Sequence, residues 1–408
     1  MISKKRQALL WATIFLFLVA FILHIEQLFW MSAATALILP LSSLLARRKL
    51  VGLSISRKSP QTLTAGETAN IALTVSNDAA ARRLFIEAHD GLPDRASPNR
   101  TSQMIPVLAA GATTEVNYSF ETTLRGVYRL GPLRLEATDT LGISEYSRTF
   151  DDFAEILVYP TPISLPNLWP QGGAANRART PRRALKGDGL DYYGIREYTP
   201  GDDVRRMDWK STARSDTLMV REFHKEVSLY AVGVLDLYAA AHAGKGEFST
   251  LEQGVVLAAS VMKQAVDTAA PTAFIAVGRD DYTVAEPAFG SQTNRLMEAL
   301  ARAELTETDN WPDAVVQRLS IVPRGASVCV FSPRTDDTAV KLAQRLKIRE
   351  LSVAWFILDA GGHPNHHRDV SETAARLSNM GCTVHLVDCT RPLQNQFSQG
   401  HRSYVQTI

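Results

Sequence analysis

The sequence predicts a multidomain protein: a two-helix transmembrane hairpin, then a β-sandwich module, then a doubly wound α/β domain. Three observations carry this. An apolar block with basic ends fills residues 8–46. Short alternating strand-like runs recur between turn signals over 50–160. Apolar strand-like runs then alternate with helical patterns over 228–390. These features divide the chain into 1–49, 50–160, a Pro/Gly/Arg linker at 161–186, a charged segment at 187–227, the α/β domain at 228–390 and a tail at 391–408.

The apolar block is too long for one span and too apolar for a soluble helix. Lys4, Lys5 and Arg6 precede it; Arg47, Arg48 and Lys49 follow it; His24, Glu26 and Gln27 interrupt it. Two helices, at 8–23 and 28–46, joined by a tight polar turn, satisfy this pattern. The first is short: about 16 residues rise about 24 Å, against a hydrocarbon core of about 30 Å. Lysine and arginine snorkelling at the ends covers the difference. Basic residues on both flanks place both ends, and all that follows, on the cytoplasmic side of the membrane. A cleaved signal peptide is the rival reading, opposed by the second apolar segment.

Within 50–160, strands are expected at Leu53–Arg57, Ala69–Val75, Leu84–Ala88, Glu115–Phe120, Gly126–Leu130, Leu133–Ala137 and Ala154–Tyr159. Ile71, Leu73 and Val75 fall on one face, the period of a half-buried strand. Asn77-Asp78 and Asp90-Gly91 punctuate the runs as turns. Many short strands in so short a stretch suggest a sandwich serving as a spacer or docking module. Four prolines, Pro160, Pro162, Pro166 and Pro170, then stiffen the linker. Its Arg177, Arg179, Arg182, Arg183 and Lys186 read as a solvated tether, or as contacts to anionic lipid.

In the last domain, Tyr230–Leu235, Ala273–Val277, Ser327–Phe331, Leu351–Leu358 and Thr383–Val387 read as buried strands. Helices are expected at 250–268, 292–304, 312–319, 337–347 and 369–379. Ligands of such sheets bind outside the carboxyl ends of the strands, which points to Asp236, Ser332 and Asp359. The three cysteines, Cys329, Cys382 and Cys389, lie in or beside apolar runs and read as buried core in a reducing compartment. A formal charge of +2 gives no footing for nucleic-acid binding.

The segment Gly187–Glu226, GDGLDYYGIREYTPGDDVRRMDWKSTARSDTLMVREFHKE, is not written as a hydrophobic core. Arg196, Arg205, Arg206 and Arg214 offer multi-donor guanidinium groups, and Glu197, Asp202, Asp203 and Asp208 offer acceptors. Pro200-Gly201 is a turn that presents Asp202 and Asp203. Interleaved arginines favour an internal ion-pair network packed on the C-terminal domain, with Tyr198 among its aromatics and Trp209 as an anchor beneath it. A docking surface is the second reading and acid–base chemistry the third.

Ile195-Arg196-Glu197-Tyr198, Pro200-Gly201-Asp202-Asp203, Arg205-Arg206-Met207-Asp208-Trp209, Ala213-Arg214 and Glu222-Phe223 resemble, in order and spacing, the hallmark of the domain of unknown function 58 family. The hairpin, and a strand module ending in Arg125-Gly126-Val127-Tyr128-Arg129-Leu130-Gly131-Pro132, resemble its layout too. The resemblance implies a von Willebrand factor A-like α/β domain. It also implies association with MoxR-type AAA+ ATPases in assembling proteins or envelope complexes. That fold usually resembles a metal-ion-dependent adhesion site, Asp-x-Ser-x-Ser after the first strand. Here Asp236 is followed by Tyr238 and Ala240, Thr293 remains as a possible threonine, and the later acidic position reads Ser332-Pro333. Such a set is poor for Mg²⁺, which wants about six oxygens, so a degenerate site holding no metal is expected. Asp236 would bond instead to an arginine or to backbone.

His363, His366 and His367, near Asp369, form a second metal candidate with the composition of a surface loop. No phosphate loop, serine nucleophile elbow or zinc-protease helix is present. The expectation is a membrane-anchored, non-catalytic adaptor or scaffold without a cofactor. The alternative is a hydrolase or metal-handling protein using Asp202, Asp203, Asp236 or the histidine loop.

Overall fold

The computed structural model describes residues 4–93, 96, 102–166, 168, 185–199, 202–215, 217–225, 230–268, 270–277, 282–284, 292–309, 311–361 and 370–397. The chain divides into two compact units, Met1–Tyr159 and Pro160–Ile408.

The first unit opens with α1 (Lys4–Leu23) and α2 (Glu26–Leu50), both long and apolar enough to cross a membrane. Helix α1 starts at Lys4 rather than near residue 8, so its 20 residues rise about 30 Å, but the added turn is Lys4-Lys5-Arg6-Gln7, and snorkelling at that end still covers the short apolar length. The chain reverses at His24, whose φ of 51° marks a left-handed turn residue. Phe17 and Phe29 meet edge to face across the hairpin, and the small residues Ala20 and Ser32 are buried, allowing close helix approach. Helix α2 continues beyond the expected residue 46, into the β module. Leu50 is buried in the module's core, and Lys49 Nζ donates to the carbonyl of Thr138 at 2.6 Å.

That module contains β1 (Leu53–Lys58), β2 (Thr62–Thr64), β3 (Thr68–Asn77), β4 (Arg83–Asp90), β5 (Ser102–Leu108), β6 (Thr113–Glu121), β7 (Gly126–Leu130), β8 (Leu133–Thr138), β9 (Glu145–Phe150) and β10 (Ala154–Tyr159). They form three sheets, ordered β1-β3-β6, β2-β10-β7 and β5-β4-β8-β9. The sheets share one core, with Ile71, Leu73, Ile86, Phe120, Tyr128, Leu135 and Ile156 at its centre. Strand alternation puts Arg57 in an inward register, and it is buried there. Its Nε and Nη2 donate to the two carboxylate oxygens of buried Asp90 at 2.7 and 2.6 Å. The Tyr118 hydroxyl donates to the same carboxylate. Burial, then that hydrogen bond, pushes the Tyr118 phenol above its ordinary pKa.

The second unit begins with a strap. The Ile163 amide donates to Ser260 Oγ, and Gln264 Nε2 donates to the Leu165 carbonyl. Leu165 and Leu168 are buried. The start of the expected tether is thus held against a helix, because its leucines have apolar surface to cover. Pro170 and the linker arginines Arg177, Arg179, Arg182 and Arg183 lie outside the described residues. A two-stranded sheet of β11 (Leu185–Glu197) and β12 (Met219–Lys225) follows.

The main sheet contains β13 (Ala231–Asp236), β14 (Thr272–Val277), β15 (Tyr282–Val284), β16 (Ser327–Ser332), β17 (Ser352–Asp359) and β18 (Thr383–Asp388). Its order is β15-β14-β13-β16-β17-β18, parallel except for β15 at one edge. Strands β13, β14 and β16 are buried at every position, as parallel strands covered on both faces must be. One face packs Val232, Val330, Trp355 and Ile357 against Trp311, Leu342 and Leu377 of the helices Trp311–Arg318, Asp337–Ile348 and Val370–Asn379. The opposite face stacks Phe331, Phe356 and His385, with centroids 4.9 and 4.8 Å apart. Helix Thr250–Asp267 lies close to the sheet at Gly254, where a Cβ would stand 2.7 Å from Leu358 Cδ1. Each expected strand and helix of this domain is present within a few residues. Strand β15, three residues long, was not anticipated.

Candidate functional site

Strand order reverses between β13 and β16, the neighbours from which the chain winds in opposite directions. Their carboxyl ends, Asp236 and Ser332, therefore flank the crevice where such sheets bind ligands. The two side chains meet: Ser332 Oγ donates to Asp236 Oδ2 at 2.8 Å. The expected Asp359 ends β17, the strand beside β16, and is turned to its own loop, where it accepts from the Gly361 amide.

A residue that the sequence reading did not name fills the crevice. Arg334, with 2% of its side chain exposed, donates from Nε to Asp236 Oδ2 at 2.8 Å. Its Nη1 and Nη2 donate to the two oxygens of Asp309 at 3.2 and 2.7 Å. Asp336, which caps helix Asp337–Ile348, lies 3.8 Å from Nη1. The guanidinium sits 4.6 Å from the Tyr238 ring centroid and 5.2 Å from that of Trp311. Such stacking suits a planar, weakly hydrated cation. Burial opposes its charge, but the hydrogen bonds it donates to Asp309 and the charge of Asp236 outweigh burial and raise its pKa.

The remaining Asp236 oxygen, Oδ1, accepts from the Tyr238 amide at 3.1 Å, and its carbonyl partners His242 Nε2 at 2.9 Å. Asp236 thus bonds to an arginine and to backbone. Thr293 lies in the first turn of helix Gln292–Arg302 and is not among its partners. The signal for Arg334 was slight: a charged residue two places beyond a strand end, in Ser332-Pro333-Arg334.

Within the hallmark segment Asp202, Asp203 and Asp208 take part in ion-pair, turn and cap bonds. Arg196 makes a two-point pair with Asp202, both bonds 2.6 Å, and Asp202 also accepts from the Thr199 amide. Chiefly through Arg196, the Asp202 carboxyl is held well below the usual carboxylate range. Asp203 accepts from the Arg205 amide and caps the 3₁₀ turn Val204–Arg206. Asp208 accepts from the amides of Lys210 and Ser211, capping the helix Trp209–Ser215. Its contact with Arg221 is only 3.9 Å. Tyr198 is half-buried and its amide donates to the Leu218 carbonyl.

Trp209 does not lie under this arrangement. It is 64% exposed, and Val204 and Leu218 in the same excursion between β11 and β12 are exposed too. The helix it opens is short and capped by Asp208, and the inward place goes to Met207, which bridges to Val220. Arg205, Arg214 and Glu197 are exposed, and Arg206 is half-buried. Gly201, the His363-His366-His367 loop and the side chains of Glu222 and Phe223 lie outside the described residues.

Fold and site together define a class: a chain with two helices fit to cross a membrane, a strand-rich module, and a parallel α/β sheet whose ligand edge is closed by its own guanidinium. Residues 194–361 match the model of the family described as "Protein of unknown function DUF58". It is 22% identical over 253 residues to the "Uncharacterized protein YeaD" of Bacillus subtilis (strain 168), an overlap of 59% of each chain. The chain thus spans under two thirds of that relative's length. Among solved structures, about a quarter of the chain is similar to the CARDB domain of a Pyrococcus furiosus protein, covering 91% of it at 12% identity and a TM-score of 0.20. A chain of the complex between zinc 2-glycoprotein and prolactin inducible protein from human seminal plasma is similar over 26% of this chain and 92% of its own. Its identity is 9% and its TM-score 0.21.

Proposed function

We propose that this protein is a membrane-anchored, non-catalytic adaptor that docks a MoxR-type AAA+ ATPase through its hallmark hairpin, in the assembly of protein or envelope complexes. The α1–α2 pair would cross a bacterial inner membrane twice, with the rest of the chain on the cytoplasmic side. The α/β domain would be von Willebrand factor A-like, a reading supported by the antiparallel edge strand β15 and by the strand order.

One observation carries the proposal. Asp202, Asp203 and Asp208 are each engaged in a turn or cap, while Trp209, Val204, Leu218, Arg205 and Arg214 stand exposed around them. Aromatic and arginine side chains are the usual anchors of interfaces, and their cationic surround suits an acidic partner surface. The crevice of the main sheet adds support, because Arg334 occupies the position where a ligand or ion would bind.

Co-purification from detergent-solubilised membranes with ATP, with ADP and without nucleotide tests the reading. A MoxR-type ATPase should co-elute in at least one state and be lost with Trp209→Ala combined with Arg214→Glu. Absence of any ATPase in all three states sinks it.

A further inference from the structure

The outward face of the β5-β4-β8-β9 sheet carries a group of metal-binding side chains that the hallmark and the crevice do not involve. On β4, Ile86, Ala88 and Asp90 point inward, so Glu87 and His89 share the outer face. The β4–β8 register sets Glu87 opposite Glu136. His89 Nε2 stands 3.4 Å from Glu87 Oε2 and 3.4 Å from Glu136 Oε2. Ligand atoms of the three residues all lie within 4.8 Å of one another.

The ring nitrogen is itself the second observation. Nε2 of His89 itself is shielded from solvent, though the ring is 29% exposed, and it makes no hydrogen bond among the described residues, although two carboxylates flank it. Spacing explains this. At tetrahedral angles and metal–ligand bonds of about 2.0–2.1 Å, neighbouring ligand atoms stand about 3.3–3.4 Å apart. That is long for a hydrogen bond and right for two ligands of one ion. Neighbouring groups hold the carboxylates in place. Arg134 Nη2 takes Glu136 Oε1 at 2.6 Å, which leaves Oε2 toward His89. Ser102 Oγ donates to Glu87 Oε2 at 3.3 Å.

We propose that Glu87, His89 and Glu136 form a three-ligand site for a late first-row divalent cation, with Zn²⁺ the ion it fits and water completing the shell. An imidazole with two carboxylates suits Zn²⁺, whereas Mg²⁺ asks for an all-oxygen octahedron. The ion fastens β4 to β8, the strand whose end also receives Lys49 of α2.

The test uses the full chain in detergent, stripped with chelator, then titrated with Zn²⁺ while bound metal and the melting temperature are measured. A background in which His363, His366 and His367 are replaced by alanine removes the other histidine cluster. In that background, one Zn²⁺ per chain should remain and raise the melting temperature, and Co²⁺ should give the visible absorption of a four-coordinate site. His89→Ala should weaken binding at least about tenfold. Glu136→Gln, which keeps side-chain shape, should do the same with an unchanged metal-free melting temperature. No stoichiometric Zn²⁺ in the background protein, or unchanged binding in both variants, overturns the assignment.

Discussion

Arg334 is the clearest case of a residue whose role depends on burial. A guanidinium with 2% of its side chain exposed, facing fully buried Asp236, makes the pair costly to break from one side. Arg334→Ala should destabilise the protein by about 3–5 kcal/mol, because Asp236 is left charged in a dry site. Denaturant unfolding checks this, and Arg334→Met with Asp236→Asn should lose much less than the two single changes combined. His385 supplies a pH dependence. Burial lowers its pKa from 6.5 to about 4, and neither ring nitrogen has a partner among the described residues. Below about 6.5 the unfolded chain takes a proton that the folded chain refuses, so stability falls as pH drops toward about 4. His385→Phe, continuing the Phe331–Phe356 stack, should shrink the difference in melting temperature between pH 7 and pH 5. An undiminished difference would show that other groups set the acid response.

At the scale of elements, capping and docking can be separated within the hallmark hairpin. Asp208 caps the helix Trp209–Ser215, so Asp208→Ala should cost about 0.5–2 kcal/mol. Asp208→Asn should cost little, since asparagine caps as well. Trp209→Ala, at an exposed position, should leave the melting temperature within about a degree. A large loss for Trp209→Ala, measured by thermal unfolding, would return this tryptophan to the anchoring place that its sequence context suggested. Period and charge pattern reveal that such a segment is polar and turn-rich. They do not reveal that its acids bond to nearby amides, which cap helices as readily as they pair with arginines.

For the whole molecule, the proposed topology turns on which side of the membrane the α/β domain faces. Ile348 is 81% exposed at the end of helix Asp337–Ile348 and offers a reporter position. Burial pushes the Cys382 thiol up to about 11 and raises Cys329 and Cys389 as well, so native thiols should react slowly. An Ile348→Cys protein should therefore label with a membrane-impermeant maleimide in inverted vesicles and not in intact cells. Labelling in intact cells would reverse the orientation.

Local pattern alone determined the two apolar helices, most strands of the β module and nearly every strand and helix of the main sheet, because periodicity and turn residues act over a few positions. The crevice was legible as far as Asp236 and Ser332, since both are strand ends. Tertiary structure decided the rest. Arg334 reaches Asp236 across 98 residues, Arg57 finds Asp90 in the core of the β module, and Glu136 joins His89 only through strand register. Such partners are set by how sheets pair and close, and pairing between distant strands leaves no mark in the neighbouring sequence.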